Sequence, residues 1–424
     1  MINVTEFKRK VIDEALSGQL LGEKLIYENK EFIKIANIYT GESTNDEEKK
    51  KYSVKVDNCY PYVATKDISM DGKVNYENGM YIPKNISKFS IAPANAILLC
   101  IEGGNAGNKI AVLDQQVCFV NKLCCFDVFG ADNRFIYYYL LSNQFRNNFK
   151  SQMTGLIGGV SVKKIKSLLI PLPKIEEQKR IVAKLDEIFA ELDRIDADQN
   201  KLVALQDKLE DKLLSLAIQG KLVEQRPEEG TGDELLNKLG KKVIDYAQTE
   251  DLPFDIPNSW VWCKLSDIGS TNIGLTYHPQ DVVDKGTLVI RSSNIVDGKM
   301  DYTDKVCVNC QIKENQYVKN NDIVICSRNG SKRLVGKNAI YKGESNKYAF
   351  GAFMAIFRTE FYDFVHLYFN TSAFKRYFET DDSKQINQVT QAILKDSLIP
   401  LPPLEEQKRI IAKLNELLPQ VKSF

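Results

Sequence analysis

Apolar residues at alternating four- and three-residue spacing mark two stretches of this chain as helices with one buried seam. They are Ile181, Leu185, Ile188, Leu192 and Ile195 in the first, and Ile410, Leu414, Leu417, Val421 and Phe424 in the second. The first seam continues through Leu202, Leu205, Leu209 and Leu216, but its register slips at the polar run Asp196 to Lys201, where a stammer or fraying is expected. A helix over about 176–219 would be roughly 65 Å long at about 1.5 Å per residue, which predicts a spacer rod between globular units. Each helix is preceded by Pro-x-Pro, which bars helix continuation backwards and predicts an extended lead-in. Each starts with a Glu-Glu pair, which suits the positive end of the helix dipole.

The two helices open a nearly identical phrase. Ile170 to Phe189 and Ile399 to Leu418 agree at fourteen of twenty positions with a constant offset of 229 residues. The same offset pairs Phe135, Tyr139, Phe145, Arg146 and Phe149 with Phe364, Tyr368, Phe374, Lys375 and Phe378. Fainter echoes link Asp71-Gly72-Lys73 to Asp297-Gly298-Lys299, and Ile97 to Cys100 with Gly104 to Ile323 to Cys326 with Gly330. This period is far longer than the roughly 20–50 residues of a solenoid unit, so it predicts two domain-sized units that share a framework and vary their loops. A second echo, at offset 202, pairs Ala15, Gly18 and Leu20 with Ala217, Gly220 and Leu222. The order of parts is therefore circular: half helix, domain, full helix, domain, half helix. The two ends of the chain are expected to lie together and to mimic the central helix.

Composition narrows the class without naming it. There are 424 residues, enough for two domains of ordinary size plus helices, and the 57 basic and 56 acidic side chains nearly cancel, so net charge alone points to no polyanion. No stretch approaches the roughly 18 apolar residues of a membrane span, and the charged start MINVTEFKRK does not read as a signal peptide. Nine scattered cysteines fit a reducing, cytoplasmic setting better than a disulfide framework. Arg226 to Gly232 and Leu252 to Trp260 carry the turn residues of a linker and a domain start.

These motifs together resemble the specificity subunit of a type I restriction-modification system. The resemblance rests on the I-P-L-P-x-x-E-E-Q-K-R-I helices, the A-x-x-G-K-L segment at Ala217 followed by Glu224 and Gln225, and the P-x-x-I-P-x-S-W-x-W segment at Pro253 to Trp262. It covers essentially the whole chain, with one departure: the first domain begins without the Pro-Trp segment, more plainly, at Leu25 to Ile35. It implies an α/β (α+β) fold with two target-recognition domains separated by long antiparallel coiled-coil helices, arranged about a pseudo-two-fold axis. The expected division is 1–22 (helix), 23–173 (first recognition domain), 174–250 (central helical region and linker), 251–402 (second recognition domain) and 403–424 (helix). The resemblance implies double-stranded DNA, two methyltransferase subunits and restriction subunits as partners. S-adenosylmethionine, ATP and magnesium would be bound by those partners and no cofactor by this chain. Two unlike domains in inverted orientation would read an asymmetric split target whose gap the rod sets.

Base readout requires Arg or Lys for guanine, Asn or Gln for adenine, and short polar side chains on loops that reach the major groove. Candidates in the second domain are Arg291 and Ser292; Arg328, Asn329, Lys332 and Arg333 around Gly330; and Gln385, Asn387 and Gln388. In the first domain they are Thr65 and Lys66, Gly104 and Asn105, and Thr154 to Ser161. The loop Arg328 to Arg333, with its polar groups around a glycine, is the foremost. The repeated Glu176, Glu177, Gln178, Lys179, Arg180 and Glu405, Glu406, Gln407, Lys408, Arg409 read either as solvated helix starts or as two symmetric docking places for one kind of partner. Their near-identity favours docking, because seam packing accounts for Ile181 and Leu185 but not for the charged positions.

No catalytic arrangement emerges. Cys307-x-x-Cys310 lacks a second ligand pair, with only His278 and His366 in the chain, and Gly103 to Gly107 lacks the spacing of a phosphate loop. Two function classes stand at this point: a non-catalytic DNA-reading subunit that directs adenine methylation and cleavage by its partners, or a coiled-coil scaffold without sequence-specific DNA binding. Loop polarity and the duplicated helices favour the first, and the neutral charge fits the second.

Overall fold

A computed structural model describes residues 3–22, 24–154, 158–246, 250, 252–379 and 388–423, and the chain divides into two compact units, 1–200 and 201–424. Each unit repeats one plan. In the first, a four-stranded antiparallel sheet runs in the order Ala36–Thr40, Leu123–Val128, Ile97–Cys100, Ile110–Val112. In the second, the order is Ser270–Ile273, Met354–Arg358, Ile323–Cys326, Asn338–Ile340. The registers agree residue by residue, since Ile97 faces Phe126 and Val112 just as Ile323 faces Phe357 and Ile340. A second small sheet in each unit contains a parallel pair, Val63 beside Phe119 and Ile290 beside Phe350.

The Ile-Pro-Leu-Pro phrase forms a strand in both places. Leu169–Leu172 pairs antiparallel with Glu28–Glu31, and Leu398–Leu401 with Val261–Lys264, in the same register. Two-stranded ribbons tolerate the missing N–H of proline at an edge. This pairing aligns the first strands of the two units. Glu28 opposite Leu172 matches Val261 opposite Leu401, so Tyr27 occupies the place that Trp260 holds in the second unit.

The matched aromatic residues are the core. Phe135, Tyr139, Phe145 and Phe149 are buried in one unit and Phe364, Tyr368, Phe374 and Phe378 in the other. The hydroxyls of Tyr139 and Tyr368 donate to the equivalent carbonyls of Leu169 and Leu398, at 3.4 and 2.6 Å. Gly107 and Gly336 are required in their places: both have positive φ (74° and 83°), and an added Cβ would sit 2.9 Å from the Phe149 ring and 2.6 Å from that of Phe378. Ser142 and Thr371, fully buried at the bend between consecutive helices, each return a hydroxyl to the carbonyl three residues back, Tyr139 and Tyr368.

The circular order is visible inside each unit. The helix Val4–Leu16 places Val11, Ile12, Ala15 and Leu16 in one core with Ile181, Val182 and Leu185. In the second unit Leu214, Ala217 and Ile218 lie in one core with Ile410 and Leu414. Polar pairs repeat at equivalent positions with their signs exchanged: Lys8 binds Asp193 in the first unit, and Glu210 binds Lys422 at 3.4 Å in the second. The long helix Ile175–Ile218 is unbroken through Asp196 to Lys201, so the expected fraying is absent. The expected seam does not close over its middle, because Leu202, Leu205 and Leu209 are exposed. Among the described residues no helix is long and apolar enough to cross a membrane, and all nine cysteines are free thiols.

One buried group is expected to make the second unit sensitive to acid. Burial, aided by the nearby Lys342 ammonium, pushes the His366 imidazole down to about 4 from 6.5, and its Nε2 is buried without a hydrogen-bond partner among the described residues. An unfolded chain takes up that proton near pH 6.5 while the folded unit refuses it until about pH 4. Stability is therefore lost as pH falls through this window, by about 3 kcal/mol at its foot. His366→Leu is expected to remove that share of the difference between urea midpoints at pH 7 and pH 4; an unchanged difference would show that other groups carry it.

Candidate nucleic-acid interface

Strand ends of each unit bring the predicted loops together. In the second unit, Thr287–Ile290 runs into the turn Arg291 to Asn294, closed by the Arg291 N–H donating to Asn294 Oδ1 at 2.9 Å. Buried Asn294 in turn donates to the carbonyls of Asp301 and Asp304, which fixes the turn from beneath. The neighbouring strand Ile323–Cys326 runs into Arg328 and Asn329, and Asn329 Nδ2 reaches Ser292 Oγ at 3.2 Å. Arg328 forms a β-bridge with Gln388, and the Val389 N–H donates to the Ser327 carbonyl. Residues from three parts of the chain far apart in sequence are thus bonded into one cluster.

The cluster surrounds a cavity of about 780 Å³ that includes Arg291, Ser292, Arg328, Asn329, Tyr277 and Phe353 in its lining. Arg291 gives one guanidinium N–H to Asp304 at 2.8 Å, while its buried Nε has no acceptor among the described residues. Arg328 is exposed and free to point outward. Lys332 and Arg333 stand apart from the cavity, exposed on the turn Lys332–Leu334. Gln385 and Asn387 lie outside the described residues, whereas Gln388 is exposed.

The first unit builds the same frame with other side chains. The Ala64 N–H donates to Asp67 Oδ2 at 2.9 Å, so the turn carrying Thr65 and Lys66 is the counterpart of Arg291 to Asn294. Glu102 bridges Gly159 as Arg328 bridges Gln388, and Gly104 and Asn105 are exposed on the turn that follows. Thr154 donates its N–H to the Gly159 carbonyl, and the Ser161 hydroxyl, on an exposed residue, caps the helix Val162–Lys166; 155–157 lie outside the described residues. Two positions that sequence reading missed are Lys122, paired with Glu102 at 3.6 Å, and Phe353. Both sit on the turn between the last two strands of the frame, and a single residue in a short turn leaves no periodic trace.

The repeated helix starts divide into inward and outward residues. Gln178 and Gln407 are buried, and each donates to the carbonyl of the proline five residues before it, Pro173 and Pro402. Glu406 is 1% exposed, accepts from Trp260 Nε1 at 3.0 Å and from Gln225, and burial raises its pKa. Arg409 forms a two-pronged pair with Glu229, at 2.8 and 2.7 Å, and holds that carboxyl below its ordinary range. Internal bonding therefore does account for several charged positions, contrary to the expectation from the seam alone. Gln178, Glu406 and Gln407 are closed to any partner; Glu176, Lys179, Arg180, Glu405 and Lys408 remain exposed, with Glu177 and Arg409 partly so.

Comparison with known proteins agrees with this arrangement. The family described as type I restriction modification DNA specificity domain matches residues 24–204 and 257–421. The EcoKI specificity subunit of Escherichia coli K12, a type I restriction enzyme component, is 34% identical over 177 residues, 40% of this chain and 38% of that protein. The MjaVIII specificity subunit of Methanocaldococcus jannaschii is 24% identical over 394 residues, 87% of this chain and 82% of that one. The chain covers only about two-fifths of the length of the EcoKI and EcoAI relatives. A solved chain from a study of complex assembly and conformational transition in a type I restriction-modification system has the same fold, with a TM-score of 0.63 at 18% identity over 95% of this chain and 93% of that one.

Proposed function

This chain belongs to the type I restriction-modification DNA specificity family, and from that membership we propose that it is the DNA-reading subunit of such a complex. Its two units read two different half-sites of one split, asymmetric target in double-stranded DNA. The observation that carries this reading is the pairing of identical strand registers with unlike loop tips. Arg291, Ser292, Arg328 and Asn329 stand in one unit where Ala64, Thr65, Glu102 and Gly103 stand in the other. A frame that serves only packing has no reason to vary its hydrogen-bonding tips while keeping its register.

The repeated helix starts dock methyltransferase subunits, one to each unit. Support comes from their outward residues: Ile175 and Leu404, at equivalent positions, are apolar and each 41% exposed, and Lys179 and Lys408 are exposed beside them. In the second unit Leu404, Lys408 and Ile411 border a groove of about 360 Å³ against Phe361 and Phe364. Methyl transfer and DNA cleavage, with S-adenosylmethionine, ATP and magnesium, fall to the partners. Balanced charge in this chain is compatible with that division, because the partners supply much of the phosphate contact.

The test is genome-wide mapping of methylated adenine in the native strain with and without this gene. One split motif of fixed gap that loses methylation on deletion is expected. An unchanged pattern, with the chain and its partners expressed, would favour a coiled-coil scaffold instead.

A further inference from the structure

The turn Gly351 to Met354 exposes an aromatic ring among hydrogen-bonding side chains. Phe353 is 65% exposed, whereas Phe350 and Met354 on either side are 0% and 1% exposed, so this ring has no part in the core. Its backbone is held firmly. The Phe353 carbonyl accepts the N–H groups of Ser327 at 2.9 Å and Arg328 at 3.1 Å, and the Met354 N–H closes the turn onto Gly351 at 2.8 Å. The ring thus springs from a fixed backbone beside Arg328, in the lining of the cavity that also includes Arg291 and Asn329. Its counterpart in the first unit is set by the same bond: Ile101 donates to Lys122 at 3.0 Å where Ser327 donates to Phe353. One frame position therefore carries an ammonium group in one unit and a phenyl ring in the other.

In the major groove the base-pair edges offer hydrogen-bond donors and acceptors, and one strongly apolar group, the C5 methyl of thymine. A ring carried on this bonded backbone among guanidinium and amide groups matches that methyl, and the apolar side of the cavity, with Tyr277 and Leu275, extends the same surface. We propose that Phe353 is a specificity residue of the second unit that recognises a thymine through its C5 methyl, while Arg328 and Asn329 beside it serve neighbouring base edges. This inference rests on the DNA-reading assignment above and adds one base identity to one half-site.

The test uses the complete complex with its methyltransferase subunits and duplexes carrying the mapped target. Each thymine of the half-site that responds to Arg328→Ala is replaced singly by deoxyuridine, which removes only the methyl. With the native chain, one position is expected to lose about fourfold in affinity, the worth of one buried methyl group. Phe353→Ala should lose a similar amount on the natural target and show no further loss with deoxyuridine at that position, while Phe353→Leu should retain most of the discrimination. Neutral deoxyuridine at every position, a penalty that persists in Phe353→Ala, or a half-site without thymine would each overturn the proposal. Failure to prefer the mapped target over a scrambled duplex would instead overturn the DNA-reading assignment itself, so the two failures are distinguishable.

Discussion

Arg328→Ala is expected to weaken binding of the assembled complex to its target by about 10- to 100-fold and to relax specificity at one base pair of one half-site. A guanidinium that makes a two-pronged contact with guanine contributes about 1–3 kcal/mol of discrimination, and Arg328 is the exposed cation at the centre of the loop cluster. Its backbone is bonded to Phe353 and bridged to Gln388, so truncating the side chain leaves the frame in place. Arg333→Ala is the internal comparison. Arg333 lies outside the cavity, and its loss should weaken binding to all sequences alike and reduce the salt dependence, as loss of a phosphate contact does. Equal affinity and unchanged target preference in Arg328→Ala would remove this loop from the interface.

Trp260→Ala is expected to have the largest effect on stability, about 3–5 kcal/mol, lost from the second unit. The indole is 5% exposed and packs edge-on against Phe364 at 6.1 Å between ring centres. It also donates to Glu406, a carboxylate that is 1% exposed and would keep, among the described residues, only the Gln225 amide as a side-chain donor. Both the cavity and the under-satisfied carboxylate count against the variant. Trp260→Phe keeps most of the packing and should cost about 1–3 kcal/mol, chiefly the lost bond to a buried charge. Urea unfolding followed by circular dichroism measures both, and a midpoint in Trp260→Ala close to that of the native chain would show that Trp260 is dispensable. Tyr27, which holds the same place in the first unit, bonds the Leu16 carbonyl and, among the described residues, no carboxylate, so Tyr27→Phe should be milder.

The framework was legible in the sequence because it is written twice. Large aromatic residues at a fixed offset, such as Tyr139 and Tyr368, bury in the same way and bond the same carbonyl, and packing permits little drift at such positions. The helix starts were legible as a repeat but not in their division of labour. Seam spacing identifies Ile181 and Ile410, yet nothing local distinguishes the buried Gln178, Glu406 and Gln407 from the exposed Lys179 and Lys408. The partners of Glu406, Gln225 and Trp260, lie 181 and 146 residues away from it.

The candidate site was legible only as separate loops. Arg291, Arg328 and Gln388 were singled out by residue type, but that they share one place follows from strand pairing across the sheets. Phe353 and Lys122 escaped notice because neither periodicity nor repetition survives in a turn.

By itself, then, the sequence determined the duplication, the circular order of the parts, the helices and the aromatic core, all of which rest on local periodicity or on a pattern copied at constant offset. Tertiary structure alone decided which polar residues face inward, which strand each Ile-Pro-Leu-Pro phrase pairs with, and which turns meet at the strand ends. Those outcomes depend on backbone hydrogen bonds between residues far apart in the chain, such as Glu28–Glu31 with Leu169–Leu172, and a strand's partner leaves no mark in the strand's own composition.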